Sequence, residues 1–299
     1  MFDVVGCGCT AWDMLCITPE YPGLDVKIRV DDLVMQGGGL IATALVAVAR
    51  LGGKAAIIGK VGDDDWGRFQ REELIREGVD VRNLVIGRPG DSHFAFVVVD
   101  AATGKRTIFY KRGDDYLLRP DQVDRALVES AKALLVDGHQ MDAGIAAAAR
   151  AKQAGIPVVM DAEGTEPRTP EMVNLTDYLI PSRECALAYT GCEDVPSAAQ
   201  KLAAGGRHRA VVVTLGDQGA LIVADGEVTR QPAFAVDVVD TTGAGDVFHG
   251  AFAFALSRGD DVRQATRFAA AVAALKCRKL GGRAGIPSLA ETEALLAQP

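Results

Sequence analysis

The sequence predicts an α/β protein in which helices cover both faces of a mostly parallel sheet. Strand-like runs rich in β-branched residues, such as FDVVG and AVVVTLG, alternate with alanine-rich helical runs, such as LIATALVAVARLG and DAGIAAAARAKQAG. Glycine bounds most of the strand-like runs, and this alternation is typical of parallel sheets with helical connections. Since no repeat and no low-complexity linker divides the chain, we expect one main domain over residues 1–299.

The predicted elements follow one another in a regular order. The first strand, FDVVG, precedes a helix in LIATALVAVARLG, a strand in KAAIIGKVG and a helix in DWGRFQREELIREG. Further strands are predicted in AKALLVDG, IPVVMDA, DYLIPS and AVVVTLG, with a helix in DAGIAAAARAKQAG and closing helices from about Gly243.

Two segments break this order and predict a smaller second sheet. Residues 26–34 and 93–111 have strand patterns, and in the second segment a Thr-Gly pair marks a turn that joins two strands with no helix between them. Because such strands cannot join a parallel sheet, we expect a small antiparallel lid formed by about residues 14–36 and 88–112. The alternative is an extension of the main sheet that does not move.

The composition narrows the class of partner. Lys and Arg number 32 against 40 Asp and Glu, a net charge of −8, which disfavours nucleic acid and favours a small-molecule ligand. The N-terminus has no signal-like pattern and no apolar run has membrane-spanning length, so we expect a cytoplasmic protein without a membrane partner. The six cysteines lack paired spacing, which predicts reduced, mostly buried thiols rather than a zinc site or disulfides.

Three consecutive glycines, Gly37 to Gly39, precede the first helical run. Glycines there let a ligand approach the backbone closely, and the first amides of a helix are unpaired donors. A tight turn between a strand and a helix would explain one glycine but hardly three, so the pattern favours a binding role.

The segment VDVVDTTGAGDVFHGAFAFAL carries the strongest functional signal. Gly243, Ala244, Gly245 and Asp246 begin a helix that is apolar nearly all round, which predicts a buried helix whose N-terminal amides form an anion site. A carboxylate beside an anion site opposes binding but suits a base that removes a proton from an attacking hydroxyl. The alternative is that Asp246 only caps the helix, which leaves the two flanking glycines unexplained.

The sequence matches two known cofactor-binding motifs, the dinucleotide fingerprint and the P-loop, only incompletely. VVGCGCTAWD formally matches the dinucleotide fingerprint G-x-G-x-x-A, but the fingerprint needs a helix there, and Pro19 and Pro22 interrupt the segment that follows. A nicotinamide-dependent enzyme stays as an alternative class. Every Gly-Lys pair lacks the Ser or Thr of a P-loop.

Over essentially its whole length, the sequence resembles the ribokinase-like (PfkB) family of carbohydrate kinases. The segments that carry the resemblance are DTTGAGD with its apolar helix, GGGLIATALVAVARLGG, GKVGDDDWG and VVVTLGDQGA. The resemblance implies a ribokinase-like three-layer α/β/α sandwich with a β-sheet lid, ATP as phosphoryl donor and Mg²⁺. Asp246 matches the catalytic base; Gly243, Ala244 and Gly245 match the anion hole; Asp13, Gly38 and Gly39 match positions that bind sugar hydroxyls.

The resemblance also places a nucleotide side and two cation positions. The nucleotide-side matches are Ser182, Thr214, Gly216, Gly219 and Thr241, and Asp240 and Thr242 match positions that in some members help bind a monovalent cation such as K⁺. The family's N-x-x-E element appears as Ser182 and Cys185, with Glu184 shifted by one position. We therefore expect magnesium to be held differently, or mostly by the nucleotide and water.

The sugar itself is less defined. Thr43, which we expect to contact the sugar, stands where the family usually has Asn. The segments GGGLIATA and VAALKC look closest to the sulfofructose kinase branch, in which Lys27 matches a lysine near the sugar. Tyr110 and His139 stand where that branch's other polar sugar-contacting residues are expected.

Basic residues in the predicted lid point to the charge of the substrate. Lys27 and Arg29 lie two apart in a predicted strand and so face one side, and further cations cluster in the other lid segment at Lys105, Arg106, Lys111 and Arg112. If this face looks inward, the substrate is a sulfonated, phosphorylated or carboxylated sugar. A solvated basic face is the alternative.

Together these patterns predict an ATP-dependent sugar kinase that phosphorylates a primary hydroxyl of a small sugar or sugar acid, such as sulfofructose. Alternatives with the same fold are ketohexokinase or fructokinase, ribokinase, keto-deoxy sugar acid kinase and nucleoside kinase. A sugar- or nucleotide-binding regulator without turnover is the alternative from another class. An exposed lid sheet also predicts a homodimer, formed by lid strands across a two-fold axis.

Overall fold

Strands and helices alternate along most of the chain in the computed structural model, which describes residues 1–30, 32–102, 106–164, 166–204 and 207–298. The strands are β1 (Phe2–Cys7), β2 (Ala11–Thr18), β3 (Leu33–Gly38), β4 (Ala55–Val61), β5 (Leu84–Ile86), β6 (Phe94–Asp100), β7 (Arg106–Lys111), β8 (Ala131–Asp137), β9 (Val158–Ala162), β10 (Tyr178–Pro181), β11 (Ala210–Thr214), β12 (Ala220–Ala224) and β13 (Glu227–Gln231). The α-helices are α1 (Leu40–Arg50), α2 (Asp65–Arg76), α3 (Arg125–Glu129), α4 (Met141–Gln153), α5 (Thr169–Asn174), α6 (Arg183–Thr190), α7 (Val195–Ala203), α8 (Ala244–Ser257), α9 (Val262–Lys276) and α10 (Leu289–Leu296).

The main sheet has nine strands in the order β13-β12-β11-β10-β9-β8-β1-β4-β5. The strands from β11 to β5 pair in parallel, and Gly6 of β1, for example, lies opposite Leu135 on one side and Ile57 on the other. β12 and β13 extend one edge in antiparallel pairing. The predicted mostly parallel sheet is therefore confirmed.

Helices pack on both faces of this sheet, which makes three layers. Ile57, Leu135 and Val212 point into a core that includes α1, α8 and α9. Their sequence neighbours Ile58, Leu134 and Val211 point into a second core with α4 and α7. Because successive strand residues face opposite sides, a strand segment covered on both faces is apolar at every position, as the buried AVVV run of β11 is.

A second sheet of four strands has the order β3-β2-β6-β7. β2 pairs antiparallel with β3, and β6 pairs antiparallel with β7. β2 and β6 run parallel, a pairing that the sequence patterns did not predict. The predicted turn at Thr103 and Gly104 lies outside the described residues.

The predicted strand over residues 26–34 is wrong, because the strand begins only at Leu33. Its partner β2 ends at Thr18, directly before Pro19, which cannot donate to a ladder. The register pairs Cys16 with Leu33, so residues 26–30 would lie beyond Thr18, the last residue of the partner strand. Lys27 and Arg29 are consequently exposed and outside any strand, and their predicted common face does not exist.

The two faces of the second sheet carry different cross-strand rows. The inner row consists of Gln36, Asp13, Ala95 and Tyr110, which lie opposite one another on β3, β2, β6 and β7. The outer row, one position along each strand, consists of Met35, Met14, Phe96 and Phe109. Alternation along a strand places these rows on opposite faces, one polar and one apolar.

The six cysteines are free thiols, as predicted, and four of them are buried. Within the residues that the structure describes, no helix combines the length and the apolar character needed to cross a bilayer.

Candidate active site

A cavity of about 370 Å³ lies between the second sheet and the carboxyl ends of the main-sheet strands. The second sheet and the segment after β7 contribute Ala11, Asp13, Ala95, Arg106, Tyr110 and Arg112 to its lining. The main domain contributes Cys9, Gly39, His139, Glu163, Thr242, Gly243 and Asp246. A neighbouring cavity of about 640 Å³ shares Tyr110, Arg112, His139 and Glu163 with it.

This position follows from the topology, since ligands of open parallel sheets bind where the strands end. Buried Asp137, the last residue of β8, accepts hydrogen bonds from the backbone N–H groups of Cys9 at 2.7 Å and His139 at 2.9 Å. The Asp137 carboxylate therefore fixes the chain as it leaves β1 and β8, the two strands that meet beneath the cavity.

Asp246 lies in the first turn of α8, where the helix amides open toward the cavity. Gly243 precedes the helix with a φ of 72°, a left-handed conformation that favours glycine. Val247 N–H is the first donor within the helix and bonds to the Gly243 carbonyl at 3.0 Å. Among the described residues, the N–H groups of Gly245 and Asp246 have no protein acceptor, whereas Ala244 N–H bonds to Thr241 at 3.2 Å.

The carboxyl group of Asp246 is hard to ionise. Burial raises its pKa to about 7, and the carboxylates of Glu163 and Asp13 add to the rise, although Arg106 and Lys276 oppose it. A carboxyl group with this pKa is half protonated near neutral pH and can take up a proton in a reaction there. This shift distinguishes Asp246 from a capping acid, whose pKa would be lowered by the helix N-terminus.

His249, one turn further along α8, holds the start of this helix against the main sheet. Its Nδ1 lies 2.7 Å from the Gly245 carbonyl and 3.1 Å from Asp161 Oδ2, and its Nε2 lies 3.0 Å from the Ile180 carbonyl. Burial lowers the pKa of His249. His249 is thus a positioning residue for the Gly245 turn.

The glycine-rich turn before α1 is held from behind by a buried ion pair. Arg283 is 2% exposed; its Nη2 donates to the Gly38 carbonyl at 2.9 Å, and its Nε donates to Thr43 Oγ1 at 3.3 Å. Its Nη1 lies 3.5 Å from Glu73 Oε1, and Glu73 also accepts from the Gly37 N–H. Thr43, a predicted sugar contact, therefore supports Arg283 behind the turn and does not line the cavity.

Glycine is needed at positions 38 and 39 for two different structural reasons. A Cβ at Gly38 would lie 2.1 Å from the Asp13 carboxylate, and Gly39 has a φ of 85°. The Asp13 carboxyl faces the cavity, and burial raises its pKa to about 6, with Arg283 opposing the rise and Glu73 reinforcing it. Asp13 and Gly39 thus line one cavity, and their binding of sugar hydroxyls stays a prediction.

Two arginines give the cavity wall a positive side. Arg106 Nη1 donates to Thr241 Oγ1 at 3.2 Å, which joins β7 to the turn before α8. The Arg112 guanidinium lies over the ring of Tyr110 at 5.3 Å and over that of Tyr116 at 5.5 Å, and it also contacts His139. Lys105, which was predicted to belong to this cluster, lies outside the described residues.

The predicted nucleotide-side residues meet at the ends of β10 and β11. Ser182 and Thr214 form a parallel bridge, and Ser182 Oγ accepts from the Cys185 N–H at 3.2 Å to cap α6. Gly216 and Gly219 follow β11 with φ values of 60° and 85°. A Cβ at Gly219 would lie 2.0 Å from the Gln231 carbonyl, so this glycine is needed for packing whether or not a nucleotide binds.

The predicted cation residues divide into two groups. Glu184 is exposed on the first turn of α6 and does not line the cavity, whereas Glu163, which the sequence patterns did not single out, does. Asp240 and Thr242 are buried together, and Asp240 Oδ1 accepts from the Thr242 N–H at 2.9 Å and from its hydroxyl at 2.7 Å. Across the described ranges, no group of three or more His, Cys, Asp or Glu side chains is placed to hold a metal ion.

The family model described as "pfkB family carbohydrate kinase" matches residues 3–289, so the chain belongs to the pfkB family of carbohydrate kinases. Ribokinase from Schizosaccharomyces pombe is 30% identical over 98% of this chain and 97% of that protein. The ATP-dependent ribose-1-phosphate kinase of Halopiger xanaduensis is 29% identical over 95% of this chain and 94% of that protein.

Solved structures agree with this assignment. A putative ribokinase from Agrobacterium tumefaciens has a TM-score of 0.90 at 29% identity, covering 99% of this chain and 97% of that one. A putative ribokinase II from E. coli, in complex with ATP and Mg²⁺, has a TM-score of 0.84 at 25% identity, covering 99% of both chains. The predicted family, ribokinase-like fold and carbohydrate kinase class are confirmed, and the sulfofructose kinase branch stays a prediction.

Proposed function

We propose that this carbohydrate kinase transfers the γ-phosphoryl group of ATP to a primary hydroxyl of a small anionic sugar or sugar acid. One observation carries the proposal: a carboxyl with a pKa of about 7, free helix amides and two arginines line or border a single cavity. Sulfofructose is one such acceptor. Lys27 does not support it, because Lys27 is exposed and away from the cavity.

In the proposed reaction, Asp246 removes the proton of the attacking hydroxyl. Asp13 and the backbone at Gly39 line the same cavity and orient the sugar, so that one hydroxyl faces Asp246. As the oxygen attacks, the amides at the start of α8 stabilise the negative charge of the transferring group, since they lack protein acceptors.

ATP supplies the phosphoryl group, and Mg²⁺ neutralises its phosphates. The nucleotide-side residues Ser182, Thr214, Gly216 and Thr241 are proposed to border it. The described residues offer no complete protein site for a metal, which supports a magnesium ion held mostly by the nucleotide and water. Besides Asp13 and Asp246, which have other proposed roles, Glu163 is an acidic side chain in the cavity that can add a ligand, directly or through water.

The second sheet is proposed to act as a lid over the acceptor. Its inner row faces the cavity through Asp13, Ala95 and Tyr110. The contact between Arg106 and Thr241 joins the sheet to the turn that precedes the transfer site. Closure would exclude water, which otherwise competes with the sugar as acceptor.

The function is tested by measuring ADP release with a panel of acceptors. The panel contains sulfofructose, phosphosugars, keto-deoxy sugar acids, neutral ketohexoses, aldopentoses and nucleosides. We expect acceptor-dependent release to be fastest with an anionic sugar. Preference for a neutral sugar would overturn the acceptor class, and binding without release would indicate a regulator.

Arginine substitutions test the acceptor charge more directly. We expect Arg106→Gln and Arg112→Gln to raise the KM for the anionic acceptor by about tenfold, because each removes a charge-assisted contact, while the KM for ATP changes little. Lys111→Gln is the matched control, since Lys111 follows the cavity-lining Tyr110 on β7 and points to the opposite face. Equal effects of all three substitutions would argue against direct recognition by these arginines.

The raised pKa of Asp246 predicts the pH profile of the reaction. A base must be deprotonated, so kcat/KM should rise with pH and level off above the Asp246 pKa of about 7. Because the Asp13 pKa is about 6, the slope should steepen below that value. Initial rates at saturating ATP measure the profile. Asp13→Asn should remove the steeper part and move the remaining inflection to lower pH, because the Asp13 carboxylate contributes to the raised pKa of Asp246. A profile that stays flat through neutral pH would contradict the role of Asp246.

The outer row of the second sheet supports the predicted homodimer. Met35 is 48% exposed and Phe109 is 53% exposed, and Met14 and Phe96 lie between them in the same row. A continuous apolar row on a sheet face away from the cavity is suited to packing against a second copy of the chain. Sedimentation of the wild type and of a Phe109→Asp variant tests this proposal, since the variant should shift the equilibrium toward monomer.

A further inference from the structure

A buried lysine holds the turn that leads into the transfer site. Lys276, the last residue of α9, is 0% exposed, and its Nζ donates to the Asp240 carbonyl at 2.9 Å. The N–H groups of Val239 and Asp240 in turn donate to the Cys277 carbonyl at 2.8 and 3.1 Å. The end of α9 and the start of the Asp240 turn are therefore joined by both backbone and ammonium contacts.

The oxygens of Asp240 are all occupied by protein donors. Oδ1 accepts from the N–H and the hydroxyl of Thr242, Oδ2 accepts from the Gly281 N–H at 2.7 Å, and the carbonyl accepts from Lys276. Asp240 and Thr242 are the positions where the family resemblance predicted a monovalent cation. A K⁺ ion bound there would need these oxygens as ligands and would also be repelled by the ammonium beside them.

The residues of the Asp240 turn therefore do not fit a K⁺ ion, because the Lys276 ammonium already supplies a positive charge at that position. We propose that the Lys276 ammonium takes the place of a monovalent cation at the Asp240 turn, so that phosphoryl transfer by this protein does not depend on K⁺. Lys276 is a positioning residue: it fixes the turn from Asp240 to Gly243, whose far end opens into the free amides of α8. The activity part of this inference rests on the proposed kinase reaction, and the binding part does not.

The first experiment uses the wild-type protein in KCl and in tetramethylammonium chloride at equal ionic strength, because tetramethylammonium is too large for a site lined by one turn. We expect the initial rates in the two salts to agree within about twofold, because neither cation binds and both salts screen charges equally at the same ionic strength. The midpoint of thermal unfolding should also be the same in both salts. Activation of the wild type by K⁺ of about tenfold or more would overturn the inference.

The second experiment opens the position to a cation. In Lys276→Ser, the ammonium is replaced by space and a hydroxyl oxygen. In tetramethylammonium chloride we expect kcat to fall by about tenfold or more, because the amides of the transfer site lose their fixed orientation, and KCl should restore most of the loss. KCl should also raise the unfolding midpoint of Lys276→Ser, because an ion that binds only the folded state stabilises it.

Lys279→Ser is the matched control, because Lys279 is exposed three residues further along the chain. It should behave like the wild type in both salts. A folded Lys276→Ser that responds to K⁺ in neither rate nor unfolding midpoint would contradict the inference. If Lys276→Ser does not fold, the isosteric Lys276→Met should lose activity without recovery in KCl. The comparison of wild-type rates in the two salts then decides whether the reaction depends on K⁺. If no sugar is phosphorylated in either salt, the kinase proposal fails, while the unfolding midpoints still report whether a cation binds.

Discussion

Replacing Asp246 by asparagine should lower kcat by about 10²- to 10⁴-fold, with little change in nucleotide affinity. Asparagine keeps the shape of the side chain but cannot accept the hydroxyl proton, so the loss would report on the base and not on packing. Asp246→Ala should lose at least about 10²-fold. Single-turnover rates with the best acceptor measure the loss of turnover, and calorimetric titration with ATP measures the nucleotide affinity separately.

The same substitution should stabilise the folded protein at alkaline pH. The folded pKa of Asp246 is raised from 3.8 to about 7, so the carboxyl favours folding while it is protonated and loses that contribution as the pH rises through 7. Above that pH the wild type carries a disfavoured buried charge, and Asp246→Asn does not. Because the unfolded carboxyl ionises near 3.8, the unfolding midpoint of the variant relative to that of the wild type should increase between pH 3.8 and about 7 and stay constant above pH 7.

Asp65→Asn is the control for both measurements. Asp65 is also an acid in the first turn of a helix, but it is exposed on α2 and pairs with Arg68 at the surface. It should change neither turnover nor unfolding. Near-wild-type turnover of Asp246→Asn would remove the basis for a general base at this position.

Arg283→Met should destabilise the protein by about 3 kcal/mol, since it leaves the part-buried Glu73 carboxylate, 13% exposed, without its partner and removes the hydrogen bond to the Gly38 carbonyl. It should also raise the KM for the acceptor by about tenfold, because Arg283 holds the Gly38 carbonyl and thereby the turn beside Asp13. Urea unfolding and acceptor titrations measure the two effects. Arg283 does not line the cavity, so its effect on KM comes through the turn.

A second substitution shows whether the unpaired Glu73 carboxylate causes the loss of stability in Arg283→Met. Adding Glu73→Gln to Arg283→Met should recover part of the lost stability, with a coupling of about 0.5–3 kcal/mol between the two sites. Arg263→Met is the matched control, because Arg263 pairs with Glu227 on the surface, and such pairs contribute about 0–1 kcal/mol. Additive effects of the two substitutions in the double variant would exclude the ion pair as the support of the turn.

The central strands of the main sheet (β1, β4, β8, β9, β10 and β11) were predictable because they are largely buried on both faces and so appear in the sequence as apolar runs. The edge strands β5, β12 and β13 were not predicted, and β13 is mostly exposed. The second sheet was predicted only in part. β2 contains buried and half-buried residues in pairs, which matches neither a strand with one exposed face nor a helix. The start of β3 depends on where β2 ends, and the partner's length cannot be deduced from residues 26–34 themselves.

The same limit applies to the site. Asp246 and its glycines are adjacent in the chain, so one segment contains both the base and the amides. The supports come from distant positions: Arg283 and Thr43, which form a hydrogen bond, are 240 residues apart, and Lys276 reaches Asp240 from the end of another helix. GGRAGIP, a charged residue within a glycine-rich segment, was the available signal for Arg283.

The two rows of the second sheet separate two properties of the enzyme. Asp13 and Tyr110 in the inner row face the cavity proposed to hold the sugar, while their neighbours Met14 and Phe109 face the other side of the same strands. The transfer groups belong to α8 and are not part of this sheet at all. Substitution at alternate positions of β6 and β7 can therefore change which sugar is accepted without altering the chemistry. Acceptor preference can diverge quickly during evolution, while the machinery of transfer stays the same.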